Sequence, residues 1–178
     1  MRWHVAALLF PFVAVTAGVL TVESRLAAQT PRSQHGSVSQ QIAGTRVTIE
    51  YNRPVARGRT LFGSLVPWAR IWNPGADDGT TIAFSTGLRV NDQPLAAGTY
   101  SLWAEPNPER WTIIFNKVHP VFHTRYPAGQ DALRVTAVPR QGSHMETLAF
   151  YFPVADGKRA ELVLHWGTVV VPLQLDVP

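Results

Sequence analysis

The sequence predicts an all-β fold: a single antiparallel β-sandwich, jelly-roll-like, of about 8–10 short strands behind an N-terminal signal peptide. Three observations carry this expectation. Short segments alternate apolar and polar residues, as where Val47, Ile49 and Tyr51 fall on one side and Arg46, Thr48 and Glu50 on the other. Turn formers are frequent, with 13 Gly and 14 Pro. Beyond the leader, no stretch holds a helical period over about eleven residues.

The chain of 178 residues is long enough for one domain, and 46% apolar residues give a full core without covalent staples. That balance excludes a disordered chain. The absence of cysteine excludes a disulfide framework, a thiolate nucleophile and a Cys-based zinc site. The net charge is +4, from 16 Lys and Arg against 12 Asp and Glu. Only Arg53, Arg57 and Arg59 cluster, which is too short a stripe for nucleic acid, so no nucleic-acid partner is expected.

Residues 1–28 read as the signal peptide, with Arg2 at its start, an apolar run over 5–22 and small residues at Ala27 and Ala28. Cleavage is expected near Ala28, with Ala17 as a second position. The run of roughly 18 apolar residues approaches the roughly 20 of a bilayer span, so an uncleaved anchor is the alternative. Membrane contact follows only in that case. Either way the domain is expected outside the cytoplasm, periplasmic or extracellular.

Residues 29–36 form a polar linker containing Pro31, and 37–178 form the sandwich. Strands are expected at 37–42, 45–51, 80–85, 88–90, 93–95, 98–104 and 111–116. Four more are expected at 133–138, 147–152, 160–166 and 169–177, separated by Gly-containing turns. Pro54 ends the second strand, and Asn91-Asp92 turns a small hairpin. Two long irregular stretches interrupt the strands. The first, 55–79, carries one expected helical turn at 61–65 and a turn at Pro74-Gly75; the second is 117–130.

The first candidate site draws on two irregular segments, 53–67 and 68–80, expected to pack together at one end of the sandwich: Arg53, Arg57, Arg59, Trp72, Asp77 and Asp78. Arg forks suit a carboxylate, a phosphate or an acidic sugar, and Trp72 offers a stacking face. The plainer reading is a loop clamp, with the arginines satisfying loop carbonyls and Arg59 pairing with Asp77 or Asp78. A second set, His119 and His123 with Glu146, and His144 and His165 farther on, has ligand chemistry for a metal. The HPVFH spacing presents both ligands together only on a helix, which Pro120 opposes, so solvated loop histidines are the plainer reading. Asp131 and Glu146 form a third option, a carboxylate pair. Ser64 lacks the second glycine of a nucleophile elbow. Among the aromatics, Trp111 and Trp166 are expected in the core, and Trp103, opposite in phase to Tyr100 and Leu102, on an exposed face.

Several blocks resemble a known family. Tyr51-Asn52-Arg53-Pro54, Gly58-Arg59, Phe62-Gly63, Leu65-Val66-Pro67, Trp72, Gly75-Ala76 and Thr80-Thr81 are similar to the bacterial domain-of-unknown-function family 2911. So are the 95–102 hairpin segment, Trp111 with Asn116, and Asp131 with Arg134-Val135. The resemblance implies an exported all-β protein and brings no established activity. Asn73 stands where the family usually has Arg, and Asp77 where it usually has Asn, which changes the charge of any polar site there.

The function expected from these residues is a non-catalytic exported module binding a small polar or saccharide-like ligand or a cell-envelope partner. A hydrolase with a carboxylate or His site, using His119, His123, Asp131, Glu146 or His165, is the alternative, and a structural envelope protein a second one. No cofactor is implied.

Overall fold

A computed structural model describes residues 33–178, and the expected signal peptide lies outside the described residues. Ten strands are present: β1 (Gln34–Ile42), β2 (Thr45–Arg53), β3 (Thr81–Phe84), β4 (Leu88–Val90), β5 (Gln93–Leu95), β6 (Gly98–Glu105), β7 (Trp111–Asn116), β8 (Asp131–Ala137), β9 (Arg140–Asp156) and β10 (Arg159–Asp176). They form two antiparallel sheets, ordered β1-β2-β3-β6-β7-β8 and β5-β4-β10-β9. No helix occurs among the described residues.

The alternation sets the packing. Val47, Ile49 and Tyr51 on β2, Ile82 and Phe84 on β3, and Trp111, Ile113 and Phe115 on β7 turn into one buried cluster. Leu148 and Phe150 on β9 and Leu162, Leu164 and Trp166 on β10 meet them from the other sheet. Burying each such side chain stabilises the fold by about 1.5–3 kcal/mol relative to exposure. The Asn91-Asp92 turn has positive φ at both residues, 45° and 65°, as a two-residue type I′ hairpin requires.

Five expectations change. β1 begins at Gln34, inside the expected 29–36 linker, and β9 starts at Arg140, running through the turn expected before 147. The segments 160–166 and 169–177 are one strand, β10, because Gly167 (φ 59°) makes a bulge with register shifts on both sides instead of a turn. The 61–65 stretch is not helical: Leu65 and Val66 donate to the carbonyls of Thr60 and Leu61, closing wider i,i+5 turns. Trp103 does lie on the outer face, yet it is 1% exposed because the 117–130 loop covers it. Tyr126 of that loop meets its ring edge-on at 5.2 Å, and its Nε1–H donates to Ser101.

The first irregular stretch is built from two departures. After Pro54 the chain crosses to the β9 edge, where Leu148 N donates to Pro54 O, Val55 bridges Thr147 and Ala56 N donates to Glu146 O. This covers part of an edge strand. Later, Trp72 exchanges two 2.8 Å hydrogen bonds with Ala104 of β6, and the chain leaves the sheet at Asn73 before returning at Thr80. Asn73, fully buried, closes that gap: Nδ2–H donates to Leu102 O and Oδ1 accepts from Thr80 N.

Candidate functional site

The irregular stretch divides its polar residues between two places. Arg53 Nε–H donates to Leu148 O, fastening the end of β2 to β9. Arg57 takes a left-handed conformation (φ 52°), and its N–H donates to the Glu146 carboxylate at 2.6 Å. Arg59 donates from Nε to Ala56 O at 2.8 Å and from Nη2 to Val55 O at 2.6 Å. Asp77 and Asp78 instead face the second loop: His123 N donates to Asp77 O, and Asp78 bridges Phe122. Among the described residues neither Arg53 nor Arg59 pairs with either aspartate; the expected Arg59–Asp clamp is replaced by Arg59 holding its own loop's carbonyls.

Arg59 also lines a cleft of about 500 Å³ where the 59–68 turns meet the β8–β9 connection and the bulge of β10. That volume lies within the usual range for small-molecule sites, about 300–1,000 Å³. The floor is aromatic. Phe62 meets Trp111 edge-on at 4.9 Å, and Trp166 Nε1–H donates to Glu146 O. Trp68, 38% exposed, stacks on Phe62 at 6.2 Å and 27° and forms one side. Its indole lies against Gly63, where a Cβ would sit 2.5 Å from Nε1; Gly63 also has φ 84°. Both conditions call for glycine. Arg140, Gln141 and His144 from the start of β9 complete the polar side.

Trp72 does not offer its face to this cleft's ligand space. It is half-buried, stacked on Trp166 at 6.0 Å and 14°, and belongs to the roof of the core. Trp68 holds the exposed position expected of Trp72.

At the rim, His144 Nε2–H donates to Glu146 Oε2 at 2.9 Å while Arg57 N–H holds Oε1. The His144 bond first, and the Arg57 amide second, lower the Glu146 pKa. His119 and His123 lie on the other loop, and no three His, Asp or Glu among the described residues group as a metal site. Thus Glu146 is not brought together with His119 and His123. His165 is buried, its Nε2–H donating to Ser143 O and its Nδ1 3.1 Å from the Tyr151 hydroxyl, so both ring nitrogens are held within the fold.

Asp131 is not a partner of Glu146 either. It accepts from Asn116 (2.8 Å), Tyr126 (2.6 and 2.8 Å) and Arg134 (2.7 Å). Burial pushes its pKa up, but these three donors outweigh burial and hold it below the ordinary value. The cluster pins the 117–130 loop over the outer face of β6 and β7: Asn116 also donates to Pro127 O, and Ser101 to Val118 O.

The family described as "Protein of unknown function (DUF2911)" matches residues 33–175. The chain belongs to this family. No curated protein and no solved structure gives a significant match. The matched span contains both irregular segments and every residue of the cleft. Of the two positions expected to differ in charge from the family, Asn73 is a buried strand-gap bridge and Asp77 sits against His123, and neither lines the cleft.

Arg140 and Gln141 carry no motif that marks them as site residues, and Trp68 stands out in the sequence only as one of several large rings. Their signal lies in topology: β9 pairs with β10 so that Arg140 opposes Val170, next to the Gly167 bulge. That pairing, together with the bonds from Ala56 and Arg57 to Glu146, carries the start of β9 to Arg59. Gly63 five residues before Trp68 is the one local cue, a glycine over which a ring can lie.

Proposed function

We propose that this protein is an exported, non-catalytic module that binds a small polar, saccharide-like ligand in the Arg59–Trp68 cleft. The carrying observation is Trp68: a large ring, 38% exposed, held over a glycine beside a cleft of ligand size. Exposed aromatic faces stack on the apolar faces of sugar rings, and the polar groups beside them fix orientation. Export is supported by the apolar 5–22 run and the small residues at Ala27 and Ala28.

The test is a thermal-shift panel of envelope monosaccharides and disaccharides against the protein and its Trp68→Ala variant. A ligand at 100 times its dissociation constant adds about 2.7 kcal/mol, a shift of several degrees. The reading expects at least one such shift, lost in the variant. A panel that moves neither protein contradicts it.

One observation favours a hydrolase as second reading. Glu146 accepts from His144 Nε2–H and so orients the imidazole where it lines the cleft, the arrangement of a positioned acid or base. Turnover of a bound sugar ester, lost in His144→Ala with binding kept, distinguishes this reading from simple binding.

A further inference from the structure

We infer that the ligand of this cleft is an anion: a saccharide carrying a carboxylate or phosphate, its charge held by Arg59 and Arg140 and its ring laid on Trp68. This deepens the binding reading and rests on it. The residues lining the cleft include two arginines and His144 and no Asp or Glu. Arg140 and His144 have carboxylate partners outside that lining, Glu161 at 3.3 Å and Glu146 at 2.9 Å. Arg59 has none. Its partners are two backbone carbonyls, which orient the guanidinium without cancelling its charge.

That arrangement resembles a ligand-ready fork more than a loop clamp alone. Two of the five guanidinium N–H groups are used on Ala56 O and Val55 O, so 5 − 2 = 3 stay available. The side chain is already ordered, so little rotamer freedom is lost when an anion arrives. Arg in such a fixed fork suits the planar geometry of carboxylate or the oxygens of phosphate. Beside it, Trp68, Phe62, Trp111 and Trp166 give an apolar wall suited to a ring and of little use to a bare inorganic ion. Gln141 adds an amide for hydroxyl groups.

The experiment is isothermal titration of the protein with glucuronic acid, glucose 6-phosphate, glucose and inorganic phosphate at low and high salt. The inference expects one of the two anionic sugars to bind at least tenfold more tightly than glucose, with phosphate alone weaker and the preference reduced by salt. Which anionic sugar wins separates carboxylate from phosphate. Arg59→Gln should cut the preference by tenfold or more; because Arg59 also ties its loop, Arg140→Gln serves as a second variant and should cut it severalfold. Glucose binding as tightly as both acids, with binding lost in Trp68→Ala, overturns the anion inference and leaves the binding reading standing. Binding by none of the four overturns the inference, and the wider panel then decides the binding reading.

Discussion

Gly63→Ala tests how the cleft is built. Gly63 has φ 84°, and a Cβ there would lie 2.5 Å from Trp68 Nε1 and 3.1 Å from Cε2. An L-residue in the left-handed region costs about 1–2 kcal/mol. Moving the indole forfeits its stack on Phe62, about 0.5–1.5 kcal/mol more. The sum is about 1.5–3.5 kcal/mol, or roughly 3–14 °C of melting temperature for a domain of this size. Gly157→Ala is the control: φ is 54°, but nothing lies within 4 Å of the added Cβ, so only the backbone part, about 1–2 kcal/mol, is expected. Urea unfolding followed by circular dichroism measures both. A double-mutant cycle then isolates the ring: in a Trp68→Ala background the Gly63→Ala loss should fall to the Gly157→Ala value. Additivity within about 0.5 kcal/mol would refute the claim that Gly63 seats Trp68.

Four further outcomes follow from the same contacts. Trp103→Ala should destabilise by about 3–5 kcal/mol in urea unfolding and speed proteolysis within 117–130, because that loop packs on the ring. Asn73→Ala should lose about 2–4 kcal/mol in the same assay, since Leu102 O and Thr80 N lose a buried partner together. Asp131 has a folded pKa below its unfolded value of about 3.9, so its stabilisation is present above that pH and lost as pH falls through the folded pKa. Asp131→Asn should therefore be less stable at neutral pH and lose less on acidification below about pH 4, as read from melting temperature against pH. Adding zinc should leave the melting temperature unchanged, because His119, His123 and Glu146 do not converge.

The strands were legible where one face is buried and one is wet. Thr45, Leu88, Gln93, Gly98 and Trp111 begin strands where alternation or turn residues put them, and 88–90, 93–95 and 111–116 match at both ends. The long strands were less legible. Gly142 and Gly167 read as turns, but the first lies under Val170 inside β9 and the second makes a bulge inside β10. A glycine's use depends on what lies across from it, and a sequence does not state that. Trp103 was misplaced for the same reason: alternation gave the correct face, and the covering loop became visible only in three dimensions. At the candidate site, Arg59 was legible because three arginines crowd within seven residues, 53–59. Trp72 and the aspartates belonged to the same irregular stretch, and the fold sends them elsewhere: Trp72 into the core roof and Asp77-Asp78 to the 121–123 loop. Arg140 and Gln141 lie some eighty residues beyond Arg59 and meet it only in three dimensions, through sheet pairing and the loop's bonds to Glu146.

The central claim is that an anionic sugar sits on Trp68 and Arg59. The most direct measurement is an NMR titration of the protein with glucuronic acid or glucose 6-phosphate, following indole and guanidinium N–H signals. The account predicts saturable shifts at the Trp68 and Trp166 indoles and at Arg59 Nε–H, while the covered Trp103 indole stays fixed. Shifts confined to the Asp77–His123 side, or none at Trp68 and Arg59, would contradict it.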